Sequence, residues 1–265
     1  MMAAIFLKTL RDKRWATLGW FAGVATMAVF AIAFFPSFSE NREFEEVLTS
    51  LPQQMQGLLG DALSFRQIEN YISAQVFDLR LPLLVIIAAI VMAVSITVSE
   101  EEDGALTTLQ SLPVSRMSVA LQKWMALVVI LAIISSGAIA GTMLGVFLIN
   151  HSVGFGAVVV AALQLWLLGV AMMSFVFMLG MGTGIKPLTV AAGSLFAVYN
   201  FLIASLATSV ADLSTAHKAT LYYYYNNPKL IIEAADWLQA LILAGVSLGF
   251  LAIAIMLYRR RDMRD

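Results

Sequence analysis

The residue types with the most chemical potential stand together in one polar stretch, Glu100-Glu101-Glu102-Asp103-Gly104-Ala105-Leu106-Thr107-Thr108-Leu109-Gln110-Ser111-Leu112-Pro113-Val114-Ser115-Arg116. Four acids follow directly on an apolar run, where the positive-inside bias favours Lys or Arg. At the C-terminal end of one helix they oppose its dipole, unless they cap the next one. Asp103 suits an N-cap: its carboxylate accepts the free amides of a short helix from about Gly104 to Ser111, which Pro113 ends. Leu106, Leu109 and Leu112 recur every three residues and give that helix an apolar stripe. Such a segment offers docking, with acids and an apolar edge presented to a groove in another protein. A solvated loop whose acids pair with nearby Arg and Lys fits the composition about equally well.

Reactive chemistry is otherwise missing from the sequence. There is no nucleophile–base pair, no metal-ligand spacing and no Walker-type Gly-Lys-Ser/Thr loop. Cys is absent, and the two His, His151 and His217, stand far apart and read as solvated loop residues. The run Gly180-Met181-Gly182-Thr183-Gly184 precedes no βαβ pattern and reads as a flexible turn closed by Lys186-Pro187, not a nucleotide fingerprint. Ser95, Ser135, Ser136, Ser174, Ser194 and Ser205 lie in apolar runs, where a hydroxyl bonds backbone. The chain is therefore read as no enzyme, with no catalytic, cofactor-binding or metal-binding residue of its own.

The elements that position the acidic stretch are apolar. The chain has 265 residues, 60% hydrophobic and 12% charged, against about 25% charged in a soluble domain. Its net charge of −1 carries no field for nucleic acid. Six runs reach the roughly 20 residues that cross a bilayer, at about 16–35, 80–98, 124–148, 156–179, 188–209 and 238–258. The fold class is thus an all-α polytopic membrane protein, one transmembrane domain over 1–265. Arg80, Lys123, Lys186 and Asp212 fall at the edges of these runs and no charge falls at a centre, which argues against a proton pump or ion-coupled carrier.

Residues 1–15 carry Lys8, Arg11, Lys13 and Arg14, with Ala3, Phe6, Leu7 and Leu10 on another face, and read as an amphipathic interfacial helix. The following run reaches Phe35 with no small-x-small cleavage site, so an uncleaved span is favoured over a signal peptide. An inside amino terminus places eleven of the sixteen Lys and Arg on the cytoplasmic side, together with both chain ends and residues 99–123. Residues 36–78 then form an outside loop, read as two short amphipathic helices that rest on the outer surface or, equally well, pack onto the rest of the protein. Gly137, Gly141 and Gly145, four apart in the third run, allow close helix packing, within the chain in preference to a dimer interface; Gly19 and Gly23 repeat the pattern in the first. Tyr222 to Tyr225 read as a headgroup-layer belt, rings in lipid and hydroxyls in water.

Glu-Glu-x-Gly-x-Leu at 101–106, then Leu-x-Ser-x-Pro-Val-Ser-Arg at 109–116 and Lys123, resembles the permease subunits of type-2 ABC transporters, an ABC exporter family. Many members have Thr where this chain has Ala105. The similarity extends to Leu58-Leu59-Gly60, Tyr71-Ile72 and Leu81-Pro82-Leu83-Leu84, and more weakly over the rest. The resemblance implies that 99–123 holds a coupling helix docking on a separate ATPase, through Glu101, Glu102, Asp103, Gly104, Leu106, Leu109, Leu112, Pro113 and Arg116. It implies two ABC ATPase subunits carrying ATP and Mg, a second permease copy or homologue, and a place in the cell membrane. It further implies export, with sodium as the cargo of some relatives; the charge-free interior of the six runs instead favours an amphiphile such as a drug, lipid-like molecule or antimicrobial peptide over a small ion. A membrane anchor that recruits a cytosolic partner and transports nothing is the alternative from another class.

Overall fold

The structure, a computed structural model, describes residues 4–39, 67–102, 115–207, 213–225 and 237–261. Every regular element among them is helical: α1 (Ala4–Asp12), α2 (Arg14–Ala33), α3 (Phe35–Ser39), α4 (Ile68–Tyr71), a π-helical stretch (Ile72–Arg80), α5 (Leu81–Ile96), α6 (Val98–Glu102), α7 (Arg116–Leu148), α8 (Phe155–Thr183), α9 (Lys186–Ala207), α10 (Ser214–His217), α11 (Leu221–Tyr225) and α12 (Trp237–Arg260). Six of the helical runs are long and apolar enough to cross a bilayer: Arg14–Ser37, Ile68–Glu101, Arg116–Leu148, Phe155–Thr183, Lys186–Ala207 and Trp237–Arg260. The chain is an all-α polytopic membrane protein.

The two central spans are the second and fourth, where the buried share is highest. In α8, Leu165, Leu168, Val176 and Phe177 are buried against α5, α7, α9 and α12. The fifth span is the most peripheral, and leaves Leu195, Val198, Tyr199 and Leu202 exposed. In lipid such exposure costs nothing, because acyl chains are as apolar as Leu. Helix α7 has 33 residues, roughly 50 Å at 1.5 Å per residue, well beyond a 30 Å hydrocarbon core. It starts at Ser115, whose hydroxyl accepts the Ser118 amide at 3.2 Å as an N-cap.

The glycine stripe of α7 meets α2. A Cβ at Gly141 would stand 2.2 Å from the Ala25 carbonyl oxygen, and one at Gly137 2.6 Å from that of Phe21. Gly145 faces the Ile32 side chain. This contact lies within the chain. Gly19 and Gly23 have nothing within 4 Å of the corresponding position among the described residues, so the shorter stripe is on another face of α2.

Several sequence readings change. The second span does not begin near residue 80. Its helix is already under way at Ile68, and Tyr71, Ile72, Val76 and Phe77 are buried in the bundle, so polar Glu69, Asn70 and Asp78 ride on a mostly buried helix. Within it the ladder widens to π register, with the Leu81 amide donating to the Val76 carbonyl. The next bond in that register would run from residue 82 to Phe77, but Pro82 has no N–H to give. The Tyr225 hydroxyl donates to the orphaned Phe77 carbonyl at 2.8 Å instead.

The same bond overturns the tyrosine belt. On α11, Tyr222 and Tyr225 fall three apart on one face, and that face is buried in the protein. Neither hydroxyl is in water. The glycine-rich turn is also shorter than expected. Helix α8 continues through Thr183, Gly180 approaches the Thr97 side chain closely, and only Gly184, at φ 63°, takes the left-handed C-terminal position.

Candidate functional site

Of the acidic stretch, residues 103–114 lie outside the described residues, among them Asp103, Gly104, Leu106, Leu109, Leu112 and Pro113; of Glu102 only the backbone is described. Its two flanks are well placed. Chain enters the stretch through α6 and leaves it through Ser115 and the first turn of α7.

On the entry side the span breaks at Thr97, where φ −98° and ψ −88° leave the helical region and the hydroxyl donates back to the Ala93 carbonyl at 2.7 Å. The break frees carbonyls at the end of α5, and a cation is the natural partner for them. Lys123 of α7 supplies it. Its Nζ donates to the Ile96 carbonyl at 2.7 Å and to Glu100 Oε2 at 2.8 Å, and its side chain is fully buried. A lysine in this setting requires both partners, since an unpaired buried charge costs several kcal/mol. Lys123 therefore joins α7 to both sides of the Thr97 break.

The adjacent acid points elsewhere. Glu101 pairs with Arg261, just past the end of α12, and both side chains are largely buried. Arg261 Nη1 also donates to the Met181 carbonyl in the last turn of α8 at 3.1 Å. On the exit side, Arg116 Nη1 donates to the carbonyls of Arg261 at 2.6 Å and Tyr258 at 3.3 Å, with its guanidinium 5.9 Å from the centre of the Tyr258 ring. These are the unsatisfied carbonyls at the end of α12, closed by a side chain from another helix. Gly184 leaves room for the arrangement, because a Cβ there would run into the Arg261 guanidinium.

Two further contacts bring the N-terminal helix to the same end. Gln122 Oε1 accepts the Ile5 and Phe6 amides of α1 at 3.2 and 3.3 Å, satisfying donors that the first turn leaves free. Lys13 Nζ donates to Ser95 Oγ at 2.5 Å. On α1 it is Ile5 and Thr9 that are buried against the bundle, while Leu7 is exposed with Lys8 and Arg11.

Two of the residues expected to couple, Glu101 and Arg116, thus meet on one residue, Arg261. The sequence reading counted Arg261 only among the basic residues that orient the chain, and had Lys123 as a charge at a span edge and as the last residue of the family resemblance. Gln122 and Glu100 had no separate role. A charge pattern hints at the partners, since acids at the end of one span need cations at the ends of others, but it does not say which. Among the described residues no group of three or more His, Cys, Asp and Glu is placed to hold a metal. The cluster ties the two flanks of residues 103–114 to each other and, through Arg261, to the ends of α8 and α12.

Comparison with known proteins places this geometry in a family. The sequence model described as "ABC-2 family transporter protein" matches residues 3–263. A search of curated proteins returns no match. Six bilayer-length helices, with the ends of four tied together around one polar connection, accompany a family match that runs almost from end to end, and the chain belongs to the ABC-2 family of membrane transporter proteins.

Proposed function

We propose that this transporter component is the permease subunit of an ATP-driven exporter, working with two separate ABC ATPase subunits and a second permease copy or homologue. The observation that carries this reading is the convergence of Glu101 and Arg116, one on each flank of residues 103–114, on Arg261. A segment held at both roots by ion pairs and helix-end bonds transmits a push. A free loop absorbs it. ATP-driven closure of the ATPases would press on 103–114, and the ties would pass the displacement to α5, α7, α8 and α12. That is a two-state shift biased by nucleotide.

Orientation follows the basic residues. Lys13, Arg116, Lys123 and Arg261 are linked at one end of the bundle with α1, and positive charge marks the cytoplasmic side. This favours both termini and 103–114 inside the cell membrane, where ATP is found. The cargo in this reading is an amphiphile.

Copurification of the chain with an ABC ATPase, and ATPase stimulation after reconstitution into lipid, test the proposal. Cargo flux in vesicles that proceeds without nucleotide would overturn it.

A further inference from the structure

The approach to the first span carries a face that neither water nor hydrocarbon suits. On α1, Ile5 and Thr9 are buried and Phe6 and Leu10 half-buried, so the bundle takes the apolar half of the helix. Left outward are Ala4, Leu7, Lys8 and Arg11, at the spacing of one helical face. The helical ladder is carried across Lys13, whose amide donates to the Thr9 carbonyl at 3.1 Å and whose carbonyl accepts the Thr17 amide at 2.9 Å. Phe6 meets Gln122 and Phe21 meets Gly137, a step of 15 residues on both helices, so α1 continues the course of α2 beside α7. Arg14, Trp15 and Leu18 therefore extend the outward face of α1. Leu7 is 59% exposed and Trp15 72%, with the Arg14 guanidinium 5.6 Å from the centre of the Trp15 ring.

Three cations on this face lack an anion. Among the described residues Lys8 and Arg11 have no hydrogen bond and no ion pair. The nearby acids of the second span are engaged, Glu100 by Lys123 and Glu101 by Arg261. Asp12 stands about 100° round the helix from Arg11, at the edge of the face and towards buried Ile5. Depth identifies the missing partner. The first bilayer-length helix starts at Arg14, and the six residues back to Lys8 rise roughly 9 Å. The polar layer on each side of the hydrocarbon is about 5–8 Å thick, within reach of flexible basic side chains. Trp15 and Leu18 continue the face onto the span itself, where the neighbours are acyl chains and an aromatic ring marks the boundary. A soluble acidic protein would have no use for that apolar end.

We propose that Lys8, Arg11 and Arg14, with Leu7 and Trp15 among them, form a binding face for the headgroups of anionic phospholipids, at the end of the bundle that carries residues 103–114. Phosphate oxygens accept from the ammonium and guanidinium groups, and the acyl chains follow Trp15 and Leu18 along α2. Because the bundle already covers the apolar half of α1, headgroup charge and not insertion of this helix holds the contact. Gln122 fixes α1 to α7 and Lys13 fixes its end to Ser95 of α5, so bound lipid steadies three elements at once. The inference rests on the six spans alone and needs neither an ATPase nor a cargo. Its failure would leave the permease reading untouched, and the reverse holds too.

The experiment uses the full chain purified in a neutral maltoside detergent, melted while dioctanoyl phosphatidylglycerol or dioctanoyl phosphatidylcholine is added. Phosphatidylglycerol should raise the melting temperature saturably, at concentrations at least about tenfold lower than phosphatidylcholine requires. Lys8→Gln, Arg11→Gln and Arg14→Gln should each raise the phosphatidylglycerol concentration needed by about fivefold, and the triple variant should respond alike to both lipids. Without lipid the triple variant should melt close to the parent, since no described ion pair is lost. Arg259→Gln with Arg260→Gln, which removes two exposed cations of α12, should keep the preference. In the parent, added salt should weaken the preference, a measurement that needs no variant. Equal action of the two lipids on the parent, a preference that ignores salt or survives the triple substitution, or an equal loss in the α12 variant would overturn the site. So would equal protection by glycerol phosphate at the same concentrations, which would make it an anion site unconnected with lipid.

Discussion

Replacing Gly141 with Ala tests the α2–α7 seam with a single methyl group. The added Cβ would lie 2.2, 2.7 and 2.8 Å from the carbonyl oxygen, Cα and carbonyl carbon of Ala25. All three are backbone atoms, so no side chain can rotate away. Restoring an ordinary 3.4 Å contact from 2.2 Å requires the two helices to part by about 1.2 Å. Overpacking of this kind costs roughly 1–3 kcal/mol. A gain from alanine's helix propensity, up to about 1 kcal/mol, opposes it. Gly23→Ala on the open face of α2 receives the same propensity gain with nothing within 4 Å, so the difference between the two variants isolates the clash. At about 2 kcal/mol that difference is roughly 4–8 °C in melting temperature for a chain of this size. Thermal unfolding of the detergent-solubilised protein, followed by the fluorescence of its five Trp, reads it directly. Gly137→Ala should fall between the two, and Gly145→Ala, which meets only the Ile32 side chain at 3.1 Å, should cost little. If Gly141→Ala and Gly23→Ala melt together, the helices are not in backbone contact and the reasoning fails.

Other perturbations separate the remaining ties. Glu101→Lys places two cations together at Arg261 and should lower transport per ATP hydrolysed without preventing membrane insertion; adding Arg261→Glu should restore part of the coupling, and an unaffected single variant would make the pair ordinary surface. Tyr225→Phe removes the only described donor to the Phe77 carbonyl and should cost about 1–3 kcal/mol, whereas Tyr222→Phe removes an unsatisfied hydroxyl and should leave stability unchanged or raised, so equal losses in urea or thermal melts would contradict the bonding described. Burial raises both phenols above their ordinary value of 10.0, with nearby Tyr222 and Asp78 adding to the rise at Tyr225 and Asp78 adding to it at Tyr222. Their protonated forms are therefore favoured by folding, a contribution complete below pH 10 and lost as pH climbs from there towards the folded-state values. Tyrosinate absorbance from these two of the seven Tyr should appear only with unfolding, and its appearance in the folded protein at pH 10 would refute their burial.

The fold class was legible because crossing a bilayer demands little of a sequence beyond length and low polarity. The start of the second span was not. Residues 67–80 include Gln67, Glu69, Asn70, Gln75, Asp78 and Arg80, too polar for any hydropathy window, and they are helical because Tyr71, Ile72, Val76 and Phe77 pack inward. The inward tyrosines were hidden for a related reason. An interfacial belt and a buried face share the same composition, and only the missing N–H of Pro82, 143 positions before Tyr225, decides between them. At the acidic stretch the sequence displayed the charges and not their partners. Glu101 and Arg261 are 160 residues apart, and Arg261 stands beside two further arginines of identical type. Lys123 looked like an edge residue because its neighbours are apolar, yet those neighbours and Glu100 are what permit its burial.

Gln122 grips the leading amides of α1 in the second turn of α7, close above its foot. In the exporter proposed above, a helix lying among headgroups would thereby be bolted to a rod that swings whenever its foot is moved. Every stroke would then drag that helix sideways through the lipid surface. The viscosity and charge of that surface would act as friction on the stroke itself, so such an exporter should run at different speeds in stiff and in fluid bilayers even when its fuel supply and its passenger are unchanged.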